Sequence, residues 1–230
     1  MSSLRHGRVR LAWTALLAVA LAGCTPRPPP LPNDIRWFGE SAEARAIYSE
    51  VYVAATQSAR NLSADLAPGS WGVILDVDET VLDNSEYERR LAASHQSYTP
   101  ATWDAWVHEQ RAIALPGARA FIDAVLDALH GHVVFVTNRR AAQCADTEAN
   151  LRAQHLRYDL VLCDAGGGDK NARFQSVIDG TAGLPPLDVL LWIGDNIRDF
   201  PQLDPRHPGD FTLFGSRYFV LPNPMYGSWQ

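Results

Sequence analysis

Short runs of consecutive apolar residues, each halted by polar ones, recur along the chain. Trp71–Leu75 stops at Asp76, Val133–Val136 at Thr137-Asn138, Leu160–Leu162 at Cys163-Asp164, and Val189–Ile193 at Gly194-Asp195. Continuous apolar runs suit strands buried on both faces, as in a parallel sheet. Between the runs the apolar positions take helical spacing, over Ala118–Leu129 and Ala141–His155. Ahead of the first run, Ser41–Leu66 carries an apolar stripe at Ala44, Ile47, Tyr48, Val51, Ala55, Ala59, Leu62 and Leu66. Ser41 is its expected N-cap and Pro68-Gly69 its stop. The alternation predicts an α/β fold with a doubly wound parallel sheet. Ligands in such folds bind beyond the carboxyl ends of the strands, where each apolar run meets its polar residues.

One stretch breaks the alternation. Residues 83–115 lie between the first strand and the first crossover helix, and carry Tyr87, Tyr98, Trp103 and Trp106. They predict a small helical cap insert over the strand ends. Gly166-Gly167-Gly168 is read as a flexible loop.

The beginning of the chain has a different pattern. Arg5, Arg8 and Arg10 precede the apolar Leu11–Ala22. That stretch falls short of the roughly 20 residues a bilayer span needs and has the proportions of a signal-peptide core. It ends in Leu21-Ala22-Gly23-Cys24, which resembles a bacterial lipoprotein signal. Residues 1–23 are then removed and Cys24 receives lipid; an ordinary cleaved signal with an incidental cysteine is the alternative. Thr25 after the cysteine, in place of Asp, makes an outer-membrane lipoprotein the expectation, periplasmic or surface-facing, with lipid its sole membrane contact. Residues 24–34, rich in proline, are read as the lipidated cysteine and an extended tether. Residues 35–230 form the folded domain.

Composition narrows the function classes. The chain has 230 residues, 47% hydrophobic and 20% charged, as a globular protein does. Its net charge is −6, and loss of the signal segment, with three arginines and no acid, makes it −9. An acidic chain with no basic run argues against a nucleic-acid polymer as partner. Three cysteines exclude a disulfide scaffold. Cys144 and Cys163 either pair in an oxidising compartment or are two separate buried thiols.

The polar residues at the strand ends carry the candidate chemistry. Asp76-Val77-Asp78-Glu79-Thr80 puts two carboxylates two residues apart beyond the first strand, where both can face one site. Gly194-Asp195-Asn196-Ile197-Arg198-Asp199 follows the last strong strand. Either cluster alone reads equally as solvated turn acids, and Thr137-Asn138 as a helix cap. Lys170 changes the balance, being the single lysine beside 19 arginines. A lysine is a compact ammonium that approaches a phosphoryl oxygen or carboxylate as a point charge.

Together these stretches resemble the haloacid dehalogenase superfamily, whose four motifs match Asp76-Val77-Asp78-Glu79-Thr80, Thr137, Lys170, and Gly194-Asp195-Asn196 with Asp199. The closer resemblance is to the class C acid phosphatases, a bacterial outer-membrane lipoprotein group that includes 5′-nucleotidases. It rests on LDVDETVLDNSEY, YTPATWDAWV, LPGA, VFVTNRR, DKNARF, IGDNIRDF and LPNPMYGSW. The resemblance implies a Rossmann-like core with a small helical cap and Mg²⁺-dependent hydrolysis of phosphate monoesters. Asp76 is then the nucleophile that forms an aspartyl-phosphate, and Asp78 the general acid and base, its proton retained with help from neighbouring carboxylates. Asp76, Asp195 and the carbonyl of Asp78 hold the metal. Asp199 stands behind them, holding a metal water or Lys170. Thr137, Asn138 and Lys170 bind phosphate, and Thr80 fixes the turn around Asp78. Asp78 separates this set from a dehalogenase and Glu79 from the ion-pumping ATPases. Tyr87, Trp103 and Tyr226 form an aromatic slot for a nucleobase or nicotinamide; Trp103 and Trp106 read equally as cap packing. The expected substrates are 5′-nucleotides or nicotinamide mononucleotide, and the expected assembly is a homodimer. The alternatives are a phosphotransferase using the same residues, and a surface-anchored lipoprotein that binds haem or a nucleotide beside an idle site.

Overall fold

A computed structural model describes residues 30–230. The signal segment, Cys24 and most of the tether lie outside these residues. Helix α1 (Asn33–Glu40) comes first and buries Ile35 and Phe38, one turn apart. This helix takes up the last two residues of the tether expected over 24–34. Asn33 and Asp34 belong to the first helical turn, where an acid complements the N-terminal dipole. Helix α2 (Ala42–Ser63) follows with the expected cap, Ser41 Oγ accepting from Ala44 N at 3.0 Å.

Strand β1 (Trp71–Leu75) is wholly buried. The insert begins with β2 (Leu82–Asp83), continues through α3 (Ser85–Ser94) and α4 (Pro100–Glu109), and returns on β3 (Ile113–Ala114). Strands β2 and β3 pair antiparallel and close the base of the insert on itself, so the cap leaves and re-enters the core at nearly one place. Helix α4 starts at Thr99, whose hydroxyl accepts from Thr102 N, with Pro100 at the first helical position.

The rest alternates. Helix α5 (Ala118–Asp123) runs into a wider turn over Ala124–Ala128, and is followed by β4 (His132–Arg140). Then come α6 (Cys144–Ala153), β5 (Leu160–Asp164), α7 (Asn171–Ile178), β6 (Asp188–Gly194) and β7 (Tyr218–Val220). The five-stranded sheet has the order β5-β4-β1-β6-β7, and every pair in it is parallel. Strand β4 extends through Thr137 and Asn138 rather than stopping before them. Its last turn pairs Arg140 with Asp164 after a register shift.

Alternating side chains feed two cores. Trp71, Val73 and Leu75 face Tyr48, Tyr52, Phe121 and Leu151 beneath α2, α5 and α6. Ile74, Val134 and Trp192 face Phe174 and Val177 of α7, together with Phe200 and Tyr218. No helix among the described residues is long and apolar enough to cross a membrane.

Cys144 is disulfide-bonded to Cys163, tying the start of α6 to the end of β5 beside the site described below. The bridge closes a loop with a sequence separation of 19, worth about 3 kcal/mol by the chain-entropy model. The Cys144→Ala/Cys163→Ala double variant is expected to melt roughly 6–12 °C lower than the oxidised parent. Calorimetry without reductant checks this, with equal melting temperatures as the contrary result.

Candidate active site

The parallel sheet brings four separated stretches to one edge. Asp76 continues β1, its N–H donating to Ile193 O at 2.9 Å. Asp195 follows β6. Asp199 lies in the short turn Ile197–Asp199, where Asn196 N donates to its Oδ2 at 2.8 Å. Carboxylate oxygens of Asp76, Asp195 and Asp199 all lie within 4.8 Å of one another. Lys170, buried just before α7, donates to Asp76 Oδ1 at 2.5 Å and Asp199 Oδ1 at 2.6 Å. Gly194 is needed for this closeness, because a Cβ there would lie 2.3 Å from an Asp199 carboxylate oxygen. Asn223, beyond β7, donates to Asp195 Oδ2 at 2.8 Å, and Ser228 Oγ to Asn196 Oδ1 at 2.9 Å.

Burial pushes Asp76 up, Lys170 pulls it back, and Asp199 and Asp78 raise it again, to about 7. Burial, then Asp199 and Asp76, raise Asp195 well above the ordinary carboxylate range. Burial alone would lower Lys170, but Asp199 and Asp76 outweigh it and hold the ammonium above its ordinary value. This cluster carries more acid than Lys170 can balance, and it offers hard oxygen ligands. The Asp78 carbonyl accepts no hydrogen bond among the described residues. These donors fit a hard divalent cation.

Asp78 sits apart from the lysine, in a second network. Arg139, buried at the end of β4, donates to Asp78 Oδ1 from Nη2 at 2.7 Å and from Nε at 3.0 Å. Asn84 Nδ2 donates to the same oxygen at 2.9 Å. The direct partners of Asp78 are thus a guanidinium and an amide, with the carboxylates of Asp76 and Glu79 near it as well. Trp106 Nε1 donates to Asn84 Oδ1 at 2.8 Å, so the cap helix α4 reaches the same network.

The turn after Asp78 is fixed from two sides. Glu79 has φ 49°, rare for a side chain of its size. Its carboxylate accepts from Asn84 N at 2.7 Å and Nδ2 at 3.2 Å. Burial, then Asp78 and Asp195, push it well above its ordinary range. From below, Tyr48 Oη donates to Glu79 O at 2.5 Å and Tyr52 Oη to Thr80 O at 2.7 Å. The Thr80 hydroxyl, expected to fix this turn, is buried without a partner among the described residues. The tyrosines of α2 hold the turn instead.

Thr137 is buried at the same edge, and its Oγ1 accepts from Arg139 N at 3.1 Å. Its hydroxyl proton is left for another acceptor. Asn138 is exposed, and Arg173 Nη2 donates to its Oδ1 at 2.6 Å. That contact leaves the Asn138 amide N–H groups free to donate.

The expected aromatic slot is not assembled. Tyr87 is buried inside the cap, with its hydroxyl 2.9 Å from Thr102 Oγ1 and its ring 5.2 Å edge-on from Trp103. It is therefore cap core, because α3 turns the ring toward α4. Trp106 is buried as well. Trp103 is half-buried, and the Arg139 guanidinium lies 5.6 Å from its ring centre. Tyr226 is half-buried against the larger core, with its N–H directed at Asn223 Oδ1.

Arg139, Asn84, Asn223, Tyr48 and Tyr52 were not assigned site roles from sequence. The first three lie within the motif strings VFVTNRR, LDNSEY and LPNPMYGSW. Tyr48 carried no signal beyond a helical apolar stripe, and Tyr52 lay outside that stripe.

A family model for the HAD superfamily, subfamily IIIB (acid phosphatase), matches residues 29–229. The class C acid phosphatase structure from Bacillus anthracis is similar over 85% of this chain and 84% of its own, with TM-score 0.75 and 26% identity. The same enzyme with tungstate bound matches at TM-score 0.74 and 26% identity over the same shares. The stem 31 kDa glycoprotein of Glycine max is 31% identical over 156 residues. That match takes in 66% of this chain and spans 58% of the length of the plant protein.

Replacing Lys170 removes the cation between two buried carboxylates. Because the lysine is held above its ordinary value, its contribution is fully present at neutral pH and lost only in strong base. Lys170→Met is expected to lose about 3–5 kcal/mol at neutral pH in chelator, as a buried pair does when one partner goes. The orphaned carboxylates can then be neutralised only by protons, so the deficit should shrink as pH falls from 7 to 5. Urea midpoints for parent and variant across that range check this; a deficit independent of pH is the contrary result.

Proposed function

The chain belongs to subfamily IIIB of the HAD superfamily, the acid phosphatases, and from that premise we propose that it hydrolyses small phosphate monoesters through an aspartyl-phosphate on Asp76. The observation that carries the proposal is the contact of the buried Lys170 ammonium with Asp76 at 2.5 Å, beside Asp195 and Asp199. A carboxylate nucleophile attacking a dianion needs positive charge at the point of approach, and the lysine supplies part of it. Asp76 and Asp195, with the Asp78 carbonyl, would hold Mg²⁺, and the ion would supply the remaining charge neutralisation and orient the phosphoryl group.

The covalent steps balance on this chain's own groups. An Asp76 oxygen bonds to phosphorus while the bond to the ester oxygen breaks, and the departing alkoxide takes a proton from Asp78. In the second step water attacks phosphorus and gives its proton to Asp78, while the bond from phosphorus to Asp76 breaks. Arg139 and Asn84 fix the Asp78 carboxylate, and Asn84 ties that position to Trp106 in the cap. Thr137 Oγ1 and the Asn138 amide are the donors for the phosphoryl oxygens. Asp199 orients Lys170.

The tungstate in the Bacillus anthracis relative is a tetrahedral oxyanion, in keeping with a site for a phosphoryl group. Nucleotides and nicotinamide mononucleotide are the proposed substrates, with Trp103 against the Arg139 guanidinium and Tyr226 beside Asn223. The proposed setting is the outer membrane, with Cys24 lipidated and a homodimer as the assembly. The rival of a binding lipoprotein with an idle site predicts no turnover. A phosphotransferase predicts that an added alcohol captures the phosphoryl group in place of water.

Hydrolysis of a chromogenic phosphate ester is expected to fall by at least about 10³-fold in Asp76→Asn, and to stop when the metal is chelated and return with Mg²⁺. Turnover that survives both treatments would rule out the proposed chemistry. An alcohol acceptor added to the same assay separates transfer from hydrolysis by the ratio of alcohol to phosphate released.

Metal binding carries a pH signature of its own. Asp76 is pushed up to about 7 without an ion, so below that pH a proton competes with the metal for the carboxylate. The Mg²⁺ affinity is expected to drop roughly tenfold per pH unit in that range, with protons released on binding. Titration calorimetry in two buffers of different ionisation enthalpy measures the release. A proton count of zero at pH 6 is the contrary result.

A further inference from the structure

Among the described residues, nearly every arginine is bonded to the chain itself. Of the 15 among the described residues, 13 place a guanidinium N–H on an acceptor of the same chain. Arg198 and Arg206 are the two that have neither a side-chain hydrogen bond nor an ion pair among the described residues. Both line the same cavity of about 840 Å³, which also reaches Asn138 and Lys170. The two uncommitted guanidinium groups therefore share a space with the residues at the phosphoryl position.

The acids along that cavity do not quench them. Asp169 accepts from Asn171 N and Nδ2 at 2.9 and 2.8 Å. Asp204 accepts from Arg206 N and His207 N at 2.7 and 2.9 Å. Each carboxylate is occupied in shaping its own turn, and each arginine remains available to an incoming anion.

The cavity is tied to the catalytic carboxylates on both sides. Arg198 stands next to Asp199, and its N–H donates to Asn196 Oδ1 at 3.1 Å in the turn that holds Lys170. The loop leading to Arg206 is pinned where Gln202 N donates to Asn171 Oδ1 at 2.8 Å, one residue past Lys170. The opposite wall is bare. Gly167 and Gly168 have φ 108° and 70°, and no atom lies within 4 Å of where a Cβ would be. A group that extends from the phosphoryl position toward the arginines meets backbone and open space there.

We propose that this cavity is a second anion subsite. It takes phosphate monoesters whose alcohol portion carries a further phosphate group, and Arg198 and Arg206 bind that remote phosphate. Two planar guanidinium forks match a phosphate dianion in charge and in donor geometry. The proposal rests on the phosphatase reading of Asp76 and deepens it, since it names a feature of the leaving alcohol.

The probes are bisphosphates of short and long alkanediols, each compared with the monophosphate of the same diol. The quantity read is the ratio of kcat/KM for bisphosphate over monophosphate, in the parent and in Arg198→Ala and Arg206→Ala. Because it is a ratio, any general loss of folded enzyme cancels. The parent is expected to favour the bisphosphate by about tenfold or more at the chain length that spans the cavity, chiefly through KM. Each variant is expected to bring the ratio to about two, the statistical advantage of two reactive ends. A parent ratio near that value at every length, or a ratio unmoved in both variants, would overturn the subsite. If neither ester is turned over, the phosphatase reading fails, and calorimetric binding of the bisphosphate still decides the subsite. Binding weakened in both variants upholds it, and equal binding in parent and variants overturns it.

Discussion

The structure depends on one ammonium group between two carboxylates at the bottom of a sheet edge. Asp76 and Asp199 follow different strands, far apart in the sequence, and both reach Lys170 Nζ within 2.6 Å. Taking such charges out of water costs several kcal/mol for each ion unless they are paired. A fold that buries three carboxylates together must therefore neutralise them, with protons or with a cation among them. The lysine meets part of that need permanently, and the surplus of acid leaves a demand that a divalent ion can meet. The same excess of acid that raises Asp76 and Asp195 favours a divalent cation at the site.

A second set of interactions ties the cap to the chemistry. Asn84 receives Trp106 from α4 and donates to both Asp78 and Glu79. Arg139 grips Asp78 and lies against the Trp103 ring. The insert is joined to the core through a two-stranded base and touches the proposed acid through Asn84. Any displacement of α4 must be felt at Asp78, because its partners are buried and leave little slack. The tyrosines of α2 hold the opposite side of this turn through the carbonyls of Glu79 and Thr80. The left-handed Glu79 backbone persists because contacts from the cap and the core both restrain it.

The sheet and the carboxylates were legible because they are written in short-range pattern. An apolar run that stops at an acid specifies a strand and the residue at its end, and four such runs gave the edge at which Asp76, Asp195 and Thr137 meet. Lys170 was legible by rarity. Residues whose role depends on three-dimensional pairing were not legible. Arg139 is one arginine among 19, and nothing local shows that it will turn inward to Asp78. Tyr87 was placed at the substrate by its nearness in sequence to the nucleophile, but helix α3 turns it into the cap. Tyr48 fits the core stripe by its ring and Tyr52 lies outside it, yet both rings are buried in the core. Only their hydroxyl groups, at the far end of the same side chains, reach the catalytic turn.

The net charge of the chain and the charge of its proposed substrate have the same sign, which raises the question of how a phosphate dianion approaches. Screening at physiological ionic strength reduces the general repulsion beyond about 8 Å, so the local arrangement governs. Several surface arginines are neutralised by nearby acids, as Arg157 is by Asp123 and Asp127 and Arg90 by Glu86 and Glu109. Such pairs cancel at a distance and attract no anion. Arg198 and Arg206, which have no such pair among the described residues, border the cavity beside the strand ends that also reaches Lys170. An acidic protein can in this way keep positive groups free at an opening beside its site, and the local arrangement, not the total charge, directs the anion there.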